Sequence, residues 1–172
     1  IRPADANEVR LAWKVALESK DKPVVIALTR QNVPNLKETE ELESIEKGAY
    51  IIKDSENPEL IIIATGSEVA LAIDSAKVLE EEGKAVRVVS MPSVELFKAQ
   101  DQAYREKILP SDVRNRVSIE MASTFGWSEF TGLDGLNIGI DRFGISGPGG
   151  DVAKKLGFTT EDVVAKIKEK FF

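Results

Sequence analysis

An unbroken apolar run, Leu60-Ile61-Ile62-Ile63-Ala64, organises the middle of the chain. It is too short for a helix and rich in β-branched side chains, which predicts a strand buried on both faces. Thr65-Gly66-Ser67-Glu68 then forms a tight turn in which Ser67 is the expected N-cap. Val69, Ala72, Ile73, Ala76 and Leu79 recur at helical spacing, and Gly83 supplies the stop. A second apolar strand follows over 86–89 and ends before Pro92. Strand, helix and strand with short connections predict a right-handed βαβ unit in a parallel sheet covered by helices.

The pattern extends to both sides. Residues 3–18 predict a helix, with Asp5 and Glu8 spaced as a capping box. Val9, Ala12, Trp13 and Ala16 share one face of it, so Trp13 is expected to pack against the core. After Asp21-Lys22-Pro23, residues 24–28 predict a further buried strand that delivers Thr29, Arg30 and Gln31 at its carboxyl end. Residues 31–48 change character: Pro34 interrupts, and Glu38, Glu40, Glu41, Glu43 and Glu46 face only Lys37 and Lys47. Such a stretch predicts a solvated connector, and the domain boundary belongs there.

Beyond it, a short strand covers 49–53, and short helical stretches cover 94–97 and 102–109, the latter stopping at Pro110. Residues 117–120 and 136–140 predict two more strands, with Gly126, Trp127 and Gly132 in the loop between them. A glycine-rich loop over 143–150 leads to a short helix, and Thr159 or Thr160 caps a final one with Val163, Val164 and Ile167 inward.

Composition narrows the chemistry. The chain has 172 residues, enough for one domain or one domain with a piece of another. Its net charge of −6 argues against a nucleic-acid partner, because affinity there rests on Lys and Arg neutralising phosphates. It contains neither His nor Cys, so it cannot build a Ser-His-Asp triad, a thiol nucleophile or a common zinc site. Absent cysteine also fits a reducing compartment. No apolar run approaches the roughly 20 residues of a membrane span, and no signal peptide is read. The chain opens on Ile1 rather than Met, and one helix and one strand ahead of the connector are too little to fold alone. A piece cut from a longer protein is the expectation.

Four places are candidates for chemistry. Ligands gather at the carboxyl ends of parallel strands, which makes Arg30 a candidate anion clamp, with a surface ion pair as the alternative. Thr65-Gly66-Ser67 offers backbone N–H groups to an anion, but Glu68 already places negative charge there, so a structural turn is the better reading. The loop 144–150 matches neither the Walker nor the dinucleotide pattern, and Pro148 removes a donor. Glu120 reads as a hydrogen-bonded structural acid. The residues themselves therefore describe an α/β domain without a self-sufficient catalytic set, in which Arg30 is the residue open to a substrate role.

Several stretches together resemble the transketolase family. Arg2-Pro3-Ala4-Asp5-Ala6-Asn7-Glu8 with Trp13, and Leu28-Thr29-Arg30-Gln31-Asn32, resemble the end of its pyrimidine-binding domain. Ala64-Thr65-Gly66-Ser67-Glu68-Val69, Ser90-Met91-Pro92-Ser93 with Glu95-Leu96-Phe97, and Tyr104-Arg105-Glu106 with Leu109-Pro110 resemble its carboxyl-terminal domain. So do Gly126-Trp127, Gly139-Ile140-Asp141 and Phe143-Gly144 with Ser146 and Pro148. Val94, Ile145 and Gly147 depart from the residues usual there, which bears on packing only.

The resemblance implies an α/β, three-layer αβα fold with a mostly parallel sheet of about five strands and one antiparallel edge strand. It implies residues 1–33 as the tail of the pyrimidine-binding domain, 34–47 as an acidic linker and 48–172 as the carboxyl-terminal domain. The family moves a two-carbon ketol unit from a ketose phosphate to an aldose phosphate with thiamine diphosphate and a divalent metal, Mg or Ca. Arg30 matches the arginine that holds the sugar phosphate. No catalytic, cofactor-binding or metal-binding residue of the family has a counterpart here, so the chain alone is expected to be inactive and to bind no cofactor. A cytoplasmic homodimer with neither nucleic-acid nor membrane partners is implied. Two alternatives stay open: the same domain in a 2-oxo-acid dehydrogenase β subunit or deoxyxylulose-phosphate synthase, and a free-standing interaction module.

Overall fold

The computed structural model describes residues 1–172. Five strands form one sheet: β1 (Tyr50–Lys53), β2 (Leu60–Ala64), β3 (Val86–Ser90), β4 (Arg116–Ile119) and β5 (Leu136–Ile138). Their order is β1-β3-β2-β4-β5, with β1 antiparallel to β3 and every other pair parallel. Ile62 of the central strand stands opposite Val88 on one side and Val117 on the other. The mostly parallel five-stranded sheet with one antiparallel edge, expected from the resemblance, is what forms.

Seven helices accompany it: α1 (Ala6–Glu18), α2 (Glu68–Glu81), α3 (Val94–Lys98), α4 (Gln102–Ile108), α5 (Ser128–Thr131), α6 (Gly149–Lys155) and α7 (Thr160–Phe171). Side chains alternate across a strand, and β2 divides its residues accordingly. Leu60, Ile62 and Ala64 enter a core built with Ala72, Ile73 and Ala76 of α2 and Val163 and Ile167 of α7. Ile61 and Ile63 enter the opposite core, with Phe97 of α3, Ile108 of α4 and Phe130 of α5. All five residues of β2 are buried because both neighbours and both layers cover them. The unbroken apolar run is the sequence trace of that double covering.

Several expectations need correction. Residues 24–28 are extended but join no sheet, and Val25 and Leu28 are 75% and 61% exposed. Their ladder contact within the chain is with Ile1 alone, where Ala27 N–H donates to Ile1 C=O at 2.9 Å and the Ile1 nitrogen donates to Val25 C=O at 2.7 Å. Trp13 is 57% exposed, because α1 buries Glu8, Leu11 and Ala12 instead and turns Trp13 away. A buried polar residue on the inner face shifted that stripe. The connector is not simply solvated: Leu36, Thr39 and Ile45 are buried. The Asp5 carboxylate accepts from Leu36 N–H at 2.9 Å and from the Thr39 hydroxyl at 2.5 Å, folding the connector onto α1.

Smaller differences lie at the caps and in one loop. Ser67 makes no capping bond to the α2 backbone, and its hydroxyl turns to Glu68 instead. The loop after β4 contains α5, too short to announce itself by periodicity. Two caps stand as expected, with Asp5 and Thr159 accepting from backbone N–H groups at the starts of α1 and α7, and Ser93 and Asp101 cap α3 and α4 in the same way.

Gly48 joins the connector to β1 at φ +79°, and a Cβ there would collide with the Phe97 nitrogen and the Ser93 carbonyl. Gly48→Ala is expected to cost about 2–3 kcal/mol, from strain and overpacking together. Gly83→Ala, at φ +84° with nothing within 4 Å of the added carbon, should cost only about 1 kcal/mol. Urea unfolding of both variants checks this, and equal losses would show that backbone strain alone decides.

Candidate functional site

The first two residues lie across the carboxyl ends of β2 and β3. Arg2 N–H donates to Pro92 C=O at 2.7 Å, and Arg2 C=O accepts from Gly66 N–H at 3.1 Å and from the Thr65 hydroxyl at 3.3 Å. The Arg2 guanidinium donates to Thr65 C=O and to Glu68 Oε2, each at 2.6 Å. It covers the turn so closely that a Cβ on Gly66 would lie 2.7 Å from Arg2 Cζ. The turn weighed as an anion site is thus filled by a side chain of the same protein, and the structural reading holds.

Glu68 is fully buried and accepts from Arg2, from Met121 N–H at 2.9 Å and from the Ser67 hydroxyl at 2.5 Å. A charge removed from water needs such a set of partners to persist. Beside it, Glu120 accepts from Trp127 Nε1 at 2.8 Å and lies 3.7 Å from Arg2, so it is the hydrogen-bonded acid expected. Arg2, Pro92, Glu120, Phe125 and Trp127 border an open cleft of about 510 Å³ at this end of the sheet.

A second buried carboxyl anchors α1. Glu8 accepts from Ala4 N–H at 2.8 Å, Tyr50 Oη at 2.7 Å and Ser90 Oγ at 2.6 Å, so it touches β1 and β3 at once. Burial pushes its carboxyl above the ordinary value, against the lowering effect of Ser90, Tyr50 and Ala4. The same burial, with Glu8 close by, raises the Tyr50 hydroxyl.

Arg30 is exposed beyond the extended segment, and no ion pair of the chain includes it. The surface-pair alternative therefore has no partner within this chain. Thr29 and Gln31 bond to each other beside it. The glycine-rich loop over 144–150 stays exposed and leads into α6, none of whose residues is buried. No group of three or more His, Cys, Asp or Glu is placed to hold a metal. Asp141, not singled out in the sequence, ties two loops together by accepting from Ser123 and Thr124, and the Thr124 bonds hold its carboxyl low. Arg2 and Glu8 were also missed as site residues, since their partners lie 63–66 and 42–82 positions away.

Comparison with known proteins decides the family. Residues 48–159 match the model of the transketolase-like TK C-terminal domain. The chain belongs to the transketolase family. A transketolase of Staphylococcus epidermidis is 50% identical over 172 residues, and one of Bacillus subtilis is 48% identical over the same span. Each alignment covers 98% of this chain and 26% of the relative, so the chain spans about a quarter of the transketolases it matches. Among solved structures, transketolase from Leishmania mexicana superposes with a TM-score of 0.90 at 42% identity, over 99% of this chain and 24% of that one. A split gene transketolase, described as an inactive beta4 tetramer, superposes at 0.75 with 27% identity, over 98% of this chain and 55% of that one.

Two outcomes test this transketolase junction. Arg2→Ala strands a buried carboxylate and should cost about 3–5 kcal/mol in urea unfolding, whereas Lys168→Ala, breaking the exposed Lys168–Glu82 pair, should cost at most about 1 kcal/mol. For Glu8 the sign follows from linkage: its folded carboxyl is raised above 4.5, so within that window the native state holds more protons than the unfolded one. Stability should fall as pH rises from 4.5 through the folded value. Glu106 and Asp141 are held below 4.5 and 3.8, so their windows lie lower and do not overlap. Urea midpoints of the Glu8→Gln variant should lose this slope.

Proposed function

We propose that the whole protein transfers a two-carbon ketol unit from a ketose phosphate to an aldose phosphate, using thiamine diphosphate and a divalent metal. This chain contributes Arg30, which binds the substrate phosphate, and surfaces for assembly as a cytoplasmic homodimer. The observation that carries the proposal is Arg30 itself. It ends an extended segment, is exposed, and has no carboxylate partner in the chain. A guanidinium offers its planar fork to a terminal phosphate bidentately. Binding energy at that remote group helps align the reacting carbons.

Residues 1–33 are assigned to the pyrimidine-binding domain, 34–47 to a linker and 48–172 to the carboxyl-terminal domain. The exposed apolar side chains of Trp13, Leu17, Val25 and Leu28 support the first assignment, since a face of that kind calls for more protein over it. The cofactor and its metal are assigned in this reading to other parts of the protein. The chain alone is read as inactive, in keeping with the inactive split gene relative. The transketolase relatives at about half identity favour the ketose-phosphate reading over a dehydrogenase subunit or a free-standing module.

Steady-state kinetics of Arg30→Ala in the full-length protein test this reading. The KM for a phosphorylated donor should rise about 10- to 100-fold, the loss expected for a charged hydrogen-bond pair, with a much smaller change for an unphosphorylated donor. Equal effects on both would remove Arg30 from phosphate recognition.

A further inference from the structure

We infer that Glu68, acting through Arg2, is a positioning residue for Arg30, so that the carboxyl-terminal domain sets the geometry of phosphate recognition without touching substrate. The inference rests on the proposed role of Arg30 and adds a device that governs it.

A short series of contacts makes the connection. Glu68 is fully buried at the start of α2 and its cationic partner is Arg2, at 2.6 Å. The Arg2 backbone is held on both sides by the same domain, through Pro92 C=O and Gly66 N–H. One residue earlier, Ile1 is hydrogen-bonded to the segment 24–30 on both sides, donating to Val25 C=O and accepting from Ala27 N–H. Arg30 lies three residues beyond Ala27. Ile1 and Arg2 thus form a bridging segment, with the turn after β2 on one side and the segment carrying Arg30 on the other.

The pair makes this bridge stiff. Arg2 cannot move away without leaving a buried carboxylate short of its cation, which is far costlier than shifting an exposed pair. Its guanidinium also donates to Thr65 C=O, and the Gly66 Cα beneath leaves no slack. Glu68 in turn is fixed to the end of β4 by Met121 N–H. The position of the 24–30 segment is therefore referred to β2 and β4, two interior strands of the sheet. A clamp on a remote phosphate depends on placement to within a fraction of an ångström to gain orientation.

The test is a cycle in the full-length protein, with Glu68→Gln, Arg30→Ala and the double variant assayed on a phosphorylated and an unphosphorylated donor. Glu68→Gln is expected to raise the ratio of the two KM values about three- to tenfold, less than Arg30→Ala does. The double variant should show no loss of discrimination beyond that of Arg30→Ala, because both act on one contact. A merely structural role would lower thermal stability and leave the ratio unmoved. If Arg30→Ala shifts the ratio and Glu68→Gln does not, this inference falls and the phosphate reading stands. If Arg30→Ala itself leaves the ratio unmoved, both fall. Should Glu68→Gln fail to fold, Arg2→Lys, which keeps the charge but loses the fork, carries the same expectation and the same power to overturn it.

Discussion

Two carboxyl groups without solvent exposure, those of Glu8 and Glu68, determine how the first helix and the segment before it are joined to the sheet. Taking such groups out of water is unfavourable by several kcal/mol each, and only a full complement of donors offsets it. Glu8 recruits Ala4, Tyr50 and Ser90, and Glu68 recruits Arg2, Ser67 and Met121. Each set draws donors from three separate parts of the chain. An arrangement of this kind tolerates few alternative geometries, which is where polar contacts differ from apolar ones of equal area. The apolar cores on the two faces of β2 supply most of the driving force, but they would accept small slides that the carboxylates forbid.

The βαβ unit could be read from the sequence because its determinants are local. The alternation of Leu60, Ile62 and Ala64 with Ile61 and Ile63 needs no distant information beyond the presence of two covering layers. Helix α2 follows from spacing, and Gly83 ends it with the positive φ that its position requires. Failures cluster where the deciding partner is far away. Trp13 carries the hydrophobicity expected of a core residue, yet Glu8 takes the inner face because Tyr50 and Ser90 await it there. Residues 31–48 look solvated by composition, yet Asp5 provides acceptors for Leu36 and Thr39 and so brings the connector onto α1. Residues 24–28 have strand composition without strands to pair with, and composition alone cannot tell the two situations apart.

The candidate site shows the same division. Arg30 could be singled out from a strand-end position and a short motif, both of which are local in sequence. The pairing of Arg2 with Glu68 could not, because nothing in Arg2-Pro3 specifies the turn after β2 as its seat. Glu68 offered half of the signal: an acid at a helix start is common for dipole reasons, and that ordinary explanation hides the ion pair. Gly66 offered the other half. Its positive φ of +61° suits the turn, and the room left by a missing Cβ is what admits the guanidinium.

The exposed apolar side chains follow from this division of labour. Trp13 and Leu17 are four residues apart on one face of α1 and stand 57% and 78% exposed, while Val25 and Leu28 stand exposed on the neighbouring segment. The inner face of α1 is already satisfied by Leu11, Ala12 and Ile45. Helix α1 therefore has two apolar sides, and a helix of that kind is stable between two layers rather than on a surface. One layer is the carboxyl-terminal domain, to which Glu8 secures it. The other side, with Trp13 and Leu17, faces outward and leaves an apolar surface open. Helix α1 is thus built from opposite materials on its two sides: buried carboxyl groups toward the sheet, where register matters, and apolar surface on the outer face, where area does.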